Sequence, residues 1–261
     1  MAVANRHDRA WEDWGSVDPL YAILTDPKYR HGAGDRAEFM DSGEDFAVAI
    51  MGRCEALGLA TSRTRALDFG CGVGRVSAPL STRFETVVGL DVSPSMVETA
   101  RRLHAAHPNC RFEVQRTTDL RQFSDASFDL VLCVLVLQHL PSPQAILRYL
   151  AEFVRVLAPG GALVIQIPSK VPPPTPLPPW RTAAGLRTRA GNVLRGLGVS
   201  PKVLYRRLDW IPEMTMTALP DATTRSALAE NGASVVFVTP TDVDRGGTES
   251  CIYFATRPRQ Q

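Results

Sequence analysis

The chain has 261 residues with 29 basic and 27 acidic side chains, so its net charge is only +2, and 44% of the residues are hydrophobic. This length is enough for one large α/β domain with a buried core, and the weak basic excess argues against nucleic acid as a partner. The longest apolar run, residues 130–137, has eight members and is too short for a transmembrane segment. No apolar signal core follows the first residue, and five cysteines without a CxxC pair argue against zinc or a disulfide framework. We therefore expect a cytoplasmic protein without a metal site.

From residue 65 to residue 167 the sequence alternates short β-branched or apolar runs with longer helical stretches. Five strands are predicted there, at 66–69, 86–90, 111–115, 128–134 and 162–167. Helices are predicted between them at about 75–83, 94–107 and 143–157, and Ser93 and Pro94 suit the start of the second helix. A helix at 221–230 follows, with strands at 234–238 and 250–256 joined as a hairpin through Gly246 and Gly247. This order predicts an α/β fold with a doubly wound, seven-stranded, mostly parallel sheet, N-terminal helices and a helical insertion after strand 5.

The turn after the first predicted strand is rich in glycine and begins with a carboxylate, Asp68 to Gly74 reading DFGCGVG. Glycines let the main chain bend sharply and let a ligand approach bare backbone. Asp91 ends the next strand, where an aspartate can accept hydrogen bonds from both hydroxyls of a ribose. The G-x-G-x-G spacing differs from the G-x-G-x-x-G of dinucleotide folds, whose pyrophosphate Asp68 would repel. The two motifs therefore predict a nucleoside ligand with a cationic part.

Together these motifs resemble those of class I S-adenosylmethionine-dependent methyltransferases. Segments 67–74 and 89–96 carry the first two motifs, and further matches follow in the family's order at 118–120, 127–131, 136–140 and 155–161. The resemblance covers about residues 64–168, with a weaker echo at 214–256, and is greatest to the type 11 small-molecule methyltransferases. It implies a Rossmann-like methyltransferase fold, S-adenosyl-L-methionine as cofactor and a small molecule as methyl acceptor.

The resemblance also implies a set of cofactor-binding residues. They are Asp68, Gly70, Cys71, Gly72, Gly74, Asp91, Val92, Met96, Asp119, Leu120 and Val134. Asp68 and the amides around Gly70 and Gly72 would hold the amino-acid end of the cofactor, and Asp91 its ribose. Val92 or Met96 would pack near the adenine, Asp119 and Leu120 would flank its polar edge, and Val134 would lie near the sulfonium.

Several of these residues have simpler interpretations. Asp119 could instead form an Asx-turn, which is common for an aspartate in a turn. Cys71 is better explained as a small packing residue than as a nucleophile, because no base is near it in the sequence. His139 is the candidate catalytic base, since an imidazole titrates near neutrality and could take a proton from an acceptor hydroxyl; it could also simply pack or begin a helix. Trp11, Trp14 and Tyr21 could line the acceptor pocket or belong to the core.

An oxygen acceptor is favoured, because neither the Asn/Asp-Pro-Pro-aromatic motif of DNA amino-methylases nor a Pro-Cys nucleophile is present. Two alternatives remain: a nicotinamide-dependent oxidoreductase on a Rossmann sheet, and a non-catalytic partner protein that binds S-adenosylmethionine. Gene context or a co-purifying ligand would identify the acceptor, which the sequence does not.

Four segments are predicted along the chain: a helical cap at 1–60, the cofactor-binding core at 61–168, a Pro/Arg-rich insertion at 169–213, and a helix with strands 6 and 7 at 214–261. Seven of the 20 prolines lie at 168–179, and the insertion holds eight basic and two acidic residues. It could be a lid that recruits an anionic or lipid-linked acceptor. It could equally be a solvated insertion or a contact between copies of a homo-oligomer.

Overall fold

A seven-stranded sheet forms the centre of the structure, a computed structural model that describes residues 6–59, 62–172, 183–212, 214, 216–241 and 247–259. The strands are β1 (Arg65–Phe69), β2 (Thr86–Asp91), β3 (Cys110–Val114), β4 (Phe128–Cys133), β5 (Leu157–Lys170), β6 (Ser234–Pro240) and β7 (Glu249–Thr256). Their order across the sheet is β3-β2-β1-β4-β5-β7-β6. Strands β1 to β5 pair in parallel, and β7 lies antiparallel to both β5 and β6. The predicted mostly parallel sheet is thereby confirmed.

Helices cover both faces of this sheet. They are α1 (Arg6–Val17), α2 (Pro19–Leu24), α3 (Arg36–Ala56), α4 (Ser77–Ser81), α5 (Pro94–Leu103), α6 (Pro143–Val156), α7 (Ala183–Gly196), α8 (Pro201–Leu208) and α9 (Asp221–Glu230). Alternate residues of each central strand point to opposite faces. Val131 of β4 packs with residues of α6 and α9, while Leu132 packs with residues of α3 and α5. The two faces thus carry separate apolar cores.

Most predicted elements differ from the structure by one or two residues, and three differ by more. The helix expected at 75–83 is only Ser77–Ser81, because Gly72 and Gly74 adopt positive φ and delay its start. The helix expected to reach residue 107 ends at Leu103. Strand β5 is longer than predicted, since its antiparallel pairing with β7 continues to Lys170 opposite Glu249. The proposed turn residue Gly246 and most of the proline-rich stretch, 173–179, lie outside the described residues.

The N-terminal helices and the helices of the insertion are joined by buried and half-buried polar contacts. Asp13 of α1 accepts two hydrogen bonds from Arg195 of α7, at 2.9 and 3.1 Å. Tyr205 of α8 donates to the carboxylate of Asp18 at 2.6 Å. Trp14 and Tyr205 are almost fully buried in a small apolar core between these helices. This packing holds α1 across the carboxyl ends of the central strands.

Candidate active site

The glycine turn connects β1 to α4 and lines a cavity at the carboxyl ends of the strands. Gly70 and Gly72 have φ of +79° and +53°, and a Cβ on Gly72 would lie 2.6 Å from Ile23 Cδ1. The amides of Gly70 and Cys71 donate to the carbonyl oxygen of Leu90 at 2.7 and 2.9 Å. Gly74 is not among the lining residues, and its amide donates to the carbonyl oxygen of Cys71. The bare backbone of the turn faces the cavity as expected, but these amides bond within the protein instead of pointing to a ligand.

Asp91, the last residue of β2, binds the turn that follows β1. Its Oδ2 accepts the amide of Gly72 at 2.9 Å, and its Oδ1 accepts the amide of Ser93 at 2.9 Å. Burial raises the pKa of Asp91 to about 6, while the two amide hydrogen bonds oppose that rise and the nearby Glu12 carboxylate adds to it. A carboxylate has about four acceptor sites, so Asp91 retains capacity for hydroxyl donors in the cavity. Ser93 caps α5, accepting the amide of Met96 at 3.2 Å as predicted.

A carboxylate and a guanidinium lie together at the deep end of the cavity. Ser77 Oγ donates to Asp68 Oδ2 at 2.5 Å. Burial raises the pKa of Asp68 to about 6, while Ser77 and the charge of Arg75 lower it. Burial lowers the pKa of Arg75, whose Nη1 donates to Ser42 Oγ at 3.1 Å. The buried Nε of Arg75 has no hydrogen-bond partner among the described residues, which leaves one donor for a ligand.

The loop after β3 lines the cavity through residues that precede the two predicted ones, Asp119 and Leu120. Residues 115–118 are lining residues, whereas Asp119 and Leu120 are not. The Asp119 carboxylate lies 3.3 Å from Arg121 Nε, and Leu120 is fully buried in the core, its amide bonded to Glu152 at 2.7 Å. The Gln115 side-chain amide holds the loop by donating to the carbonyl oxygens of residues 117 and 119. The cavity is therefore lined by the residues just before the two that the sequence motif assigns to the adenine edge.

The segment after β4 lines the cavity beside the glycine turn, where a Cβ on Gly70 would meet the Val136 side chain. Val134, Leu135 and His139 line the cavity, His139 at the end of a short 3₁₀ helix, Leu137–His139. Leu135 has φ of +63°, a strained conformation for a branched side chain, and such strain is concentrated at functional sites. The His139 ring meets the Trp11 ring edge to face, with centroids 4.8 Å apart.

Helices α1 and α5 also contribute residues to the lining of the cavity. His7, Asp8 and Trp11 line it from this helix, and Val92 and Met96 line it from the start of α5. Of the aromatic residues with two interpretations, Trp11 lines the cavity, whereas Trp14 is buried in the core against Tyr21. Sequence reasoning missed lining residues that include His7, Asp8, Arg75, Gln115, Arg116, Thr117, Thr118, Arg148 and Tyr149. Arg75 directly follows the glycine motif and could have been found; the others come together only by folding.

Neither a metal-binding cluster nor a membrane-spanning helix is found in the described ranges. Within residues 6–59, 62–172, 183–212, 214, 216–241 and 247–259, no group of three or more His, Cys, Asp or Glu side chains is arranged to hold a metal ion. In the same part of the chain, every helix is too short or too polar to cross a membrane.

The sheet places β7 antiparallel between β5 and β6, next to the edge, and the cavity lies at the glycine turn. This is the Rossmann-like fold of class I methyltransferases. Residues 67–165 match the family described as "methyltransferase domain". This segment is a methyltransferase domain of the S-adenosylmethionine-dependent class, as the sequence motifs predicted.

Curated relatives and solved structures agree with this assignment. The chain is 36% identical over 173 residues to a ubiquinone biosynthesis O-methyltransferase of Xanthomonas oryzae pv. oryzae, covering 66% of this chain and 59% of that protein. A relative with the same description from Xanthomonas campestris pv. campestris is 34% identical over 116 residues, covering 44% of this chain and 47% of that protein. The chain thus spans less than two thirds of the length of these relatives.

Among solved structures, the fold is similar to magnesium protoporphyrin IX methyltransferase from Synechocystis PCC 6803 with bound SAH, with a TM-score of 0.59 and 21% identity over 96% of this chain and 99% of that one. It is also similar to an S-adenosylmethionine-dependent methyltransferase from Leishmania major, with a TM-score of 0.62 and 14% identity over 97% of this chain and 83% of that one. At these low sequence identities, the likeness concerns the fold alone.

Proposed function

We propose that this chain transfers the methyl group of S-adenosyl-L-methionine to an oxygen atom of a small-molecule acceptor. The observation that carries the proposal is the position of Asp91, whose carboxylate ends β2 and is bound to the glycine turn at the mouth of the cavity. The methyltransferase domain and relatives described as O-methyltransferases support it. The G-x-G-x-G spacing and the carboxylate of Asp68 disfavour the nicotinamide alternative.

The cavity residues fit this cofactor. We assign the ribose to Asp91 and the zwitterionic amino-acid end to the adjacent Asp68 and Arg75, which offer a carboxylate to the ammonium and a donor to the carboxylate. The adenine is assigned to Val92, Met96 and the loop 115–118, and the sulfonium to the neighbourhood of Val134. When bound, the cofactor supplies an electrophilic methyl group on a sulfur that leaves as a neutral thioether.

On the acceptor side, His139 and Trp11 form a wall of the cavity through their edge-to-face contact. We propose that His139, the base candidate from the sequence, contacts the acceptor there. The protein contributes mainly by holding the acceptor oxygen in line with the methyl group and by excluding water. Helix α1 lies over this end of the cavity and would shield it.

The insertion supports a finer proposal about the acceptor. Leu186, Val193 and Leu197 are 57, 64 and 76% exposed and share one face of α7 and its last turn. Exposed lysine and arginine side chains lie beside them on α8, at 202, 206 and 207. An apolar stripe next to basic residues suits an acceptor that is anionic or linked to a lipid tail. The same stripe could join two copies of the chain.

We also propose that the enzyme is cytoplasmic, because its five free thiols would stay reduced there.

The direct test combines calorimetric titration with a methyl-transfer assay. We expect S-adenosylmethionine to bind and NAD not to bind, and we expect labelled methyl groups to appear on hydroxylated acceptors of ubiquinone biosynthesis. NAD binding without S-adenosylmethionine binding would support the oxidoreductase instead. Cofactor binding without turnover of any acceptor would support a non-catalytic partner.

A further inference from the structure

His7, near the start of α1, lines the cavity with one ring nitrogen in a hydrogen bond and the other without one. Its Nδ1 lies 3.3 Å from Asp8 Oδ1. Its Nε2 is buried and has no hydrogen-bond partner among the residues that the structure describes. The side chain as a whole is 19% exposed. One nitrogen of this ring therefore lies against a carboxylate, and the other is buried without a partner in a side chain that lines the cavity.

A buried polar atom without a partner is costly, at about 1–3 kcal/mol, and is rare in native proteins unless a ligand or water completes it. When the Nδ1 hydrogen is donated to Asp8, Nε2 carries the lone pair of the neutral ring. The carboxylate thus sets the tautomer in which the buried nitrogen is a proton acceptor. A hydroxyl group of a bound acceptor would supply the missing partner.

The position of His7 matches the acceptor side of the cavity. Trp11 follows it by four residues, so the two side chains share one face of α1. The Trp11 ring in turn touches the ring of His139, with centroids 4.8 Å apart. Trp11 therefore connects His7, on the same face of α1, to His139, and all three line the cavity together with Val134, which directly follows β4.

His139 is less suited to accept a proton. Its Nε2 lies 3.4 Å from the side-chain amide nitrogen of Gln138. The Gln138 side chain therefore already contacts the ring nitrogen that would have to take the proton. The other charged or titratable side chains that line this cavity are Asp8, Asp68, Cys71, Arg75, Asp91, Arg116, Arg148 and Tyr149.

We infer that His7 is the general base of methyl transfer, that Asp8 is its positioning residue, and that His139 orients the acceptor. This inference rests on the proposed function. In the step, the acceptor O–H bond breaks and its proton moves to His7 Nε2, while the oxygen forms a bond to the methyl carbon. The carbon–sulfur bond breaks with its electron pair on sulfur, and the imidazolium then releases its proton to solvent.

The test uses His7→Gln, Asp8→Asn and His139→Gln in the full chain, with His107→Gln as a matched control. His107 lies outside the cavity, with its Nδ1 3.0 Å from Ser81 Oγ. At saturating cofactor we expect His7→Gln to lower kcat by about 100-fold or more and to remove the fall of kcat at acid pH. Binding of S-adenosylhomocysteine should change less than about twofold, and His107→Gln should behave as wild type.

A second readout does not depend on activity. Ring ¹⁵N chemical shifts of the cofactor-free protein should show His7 with the hydrogen on Nδ1, and Asp8→Asn should give a mixture of tautomers. An unchanged kcat in His7→Gln, or loss of the acid limb in His139→Gln alone, would overturn the inference. Failure of the wild type to transfer methyl groups would instead remove the proposed function, and the role of His7 with it.

Discussion

The carboxylate of Asp91 accepts the backbone amide of Gly72 at 2.9 Å, although 19 residues separate the two along the chain. The bond joins the end of β2 to the turn that follows β1. One side chain thereby connects the two parts of the cleft to which we assign the nucleoside. Asp91 consequently shapes the cavity as well as offering oxygen atoms to a ligand.

Replacement of Asp91 tests its assignment to the ribose. We expect Asp91→Ala to weaken S-adenosylmethionine binding by about tenfold or more, equivalent to about 1.4 kcal/mol, as measured by isothermal titration. Asp119→Ala is the matched control, because its carboxylate lies 3.3 Å from Arg121 Nε and does not line the cavity. Unchanged affinity in Asp91→Ala would refute the ribose role. A loss of S-adenosylmethionine affinity in Asp119→Ala would support the adenine role that the sequence motif suggested for this residue.

Cofactor affinity should fall in acid because Asp91 has a raised pKa. Burial brings that pKa to about 6, so the carboxylate is ionised at pH 7 and mostly protonated at pH 5. The ionised form accepts the ribose hydroxyls, so its loss should lower affinity about tenfold between pH 7 and pH 5, and protonation of Asp68, whose pKa is also about 6, should add to this fall. Titrations across this range measure the effect. Asp91→Asn should bind more weakly at pH 7 and show a smaller pH dependence, and an identical dependence in this variant would contradict the prediction.

Glu12 is expected to anchor α1 to α5. Its carboxylate accepts hydrogen bonds from Ser93 Oγ at 2.7 Å, from the amide of Ser95 at 3.0 Å and from Ser95 Oγ. Glu12→Ala should lower the free energy of unfolding by about 1–3 kcal/mol in urea titrations, since it leaves these donors without a charged acceptor. It should also move the acid midpoint of cofactor binding to lower pH, because the Glu12 charge raises the pKa of Asp91.

Glu55→Ala is the control for this second effect. Glu55 forms an ion pair with Arg63 at 2.7 Å. The Glu55 side chain is 65% exposed, and neither residue lines the cavity. Its removal should cost at most about 1 kcal/mol and leave the midpoint of cofactor binding in place. If Glu12→Ala and the wild type have the same acid midpoint of cofactor binding, the Glu12 carboxylate acts only in the packing of α1 and does not influence the pKa of Asp91.

Substitutions in the exposed stripe on α7 test whether the acceptor carries an apolar tail. Replacing Leu186, Val193 and Leu197 together by serine should raise KM for an acceptor with a long apolar tail and leave KM unchanged for the same acceptor without the tail. The physical reason is the loss of apolar surface that a tail would cover. Equal KM changes for both acceptors would contradict a role in tail binding. A dimer in sedimentation that becomes a monomer in the variant would assign the stripe to contacts between copies.

Local pattern was sufficient for the core of the sheet and for part of the site. The strands around residues 66–69 and 86–90, the Ser93 cap and the clustering of Asp68, Gly72 and Asp91 were all predicted from apolar runs, turn residues and spacing. These features depend on residues within one strand–turn–helix unit. The carboxyl ends of parallel neighbours must also meet at one edge.

Other features depended on contacts between distant segments. The length of β5 follows from its pairing with β7, and the amides of the glycine turn are directed to Leu90 and Asp91 by the register of β1 with β2. Asp119 and Leu120 left the predicted site because the loop after β3 is held by Gln115 and by the packing of Leu120 against the core. Spacing within a motif carries no information about these contacts.

The sequence by itself determined the methyltransferase class and the part of the cavity around Asp68 and Asp91, because both depend on short motifs whose residues are close along the chain. Only the tertiary structure decided the part of the cavity to which we assign the acceptor. Trp11 contacts His139 across more than a hundred residues of intervening chain, and Glu12 binds Ser93 across 81. That wall exists because α1 docks on α5 and on the insertion, and such docking follows from shape and buried polar pairs that no local pattern records.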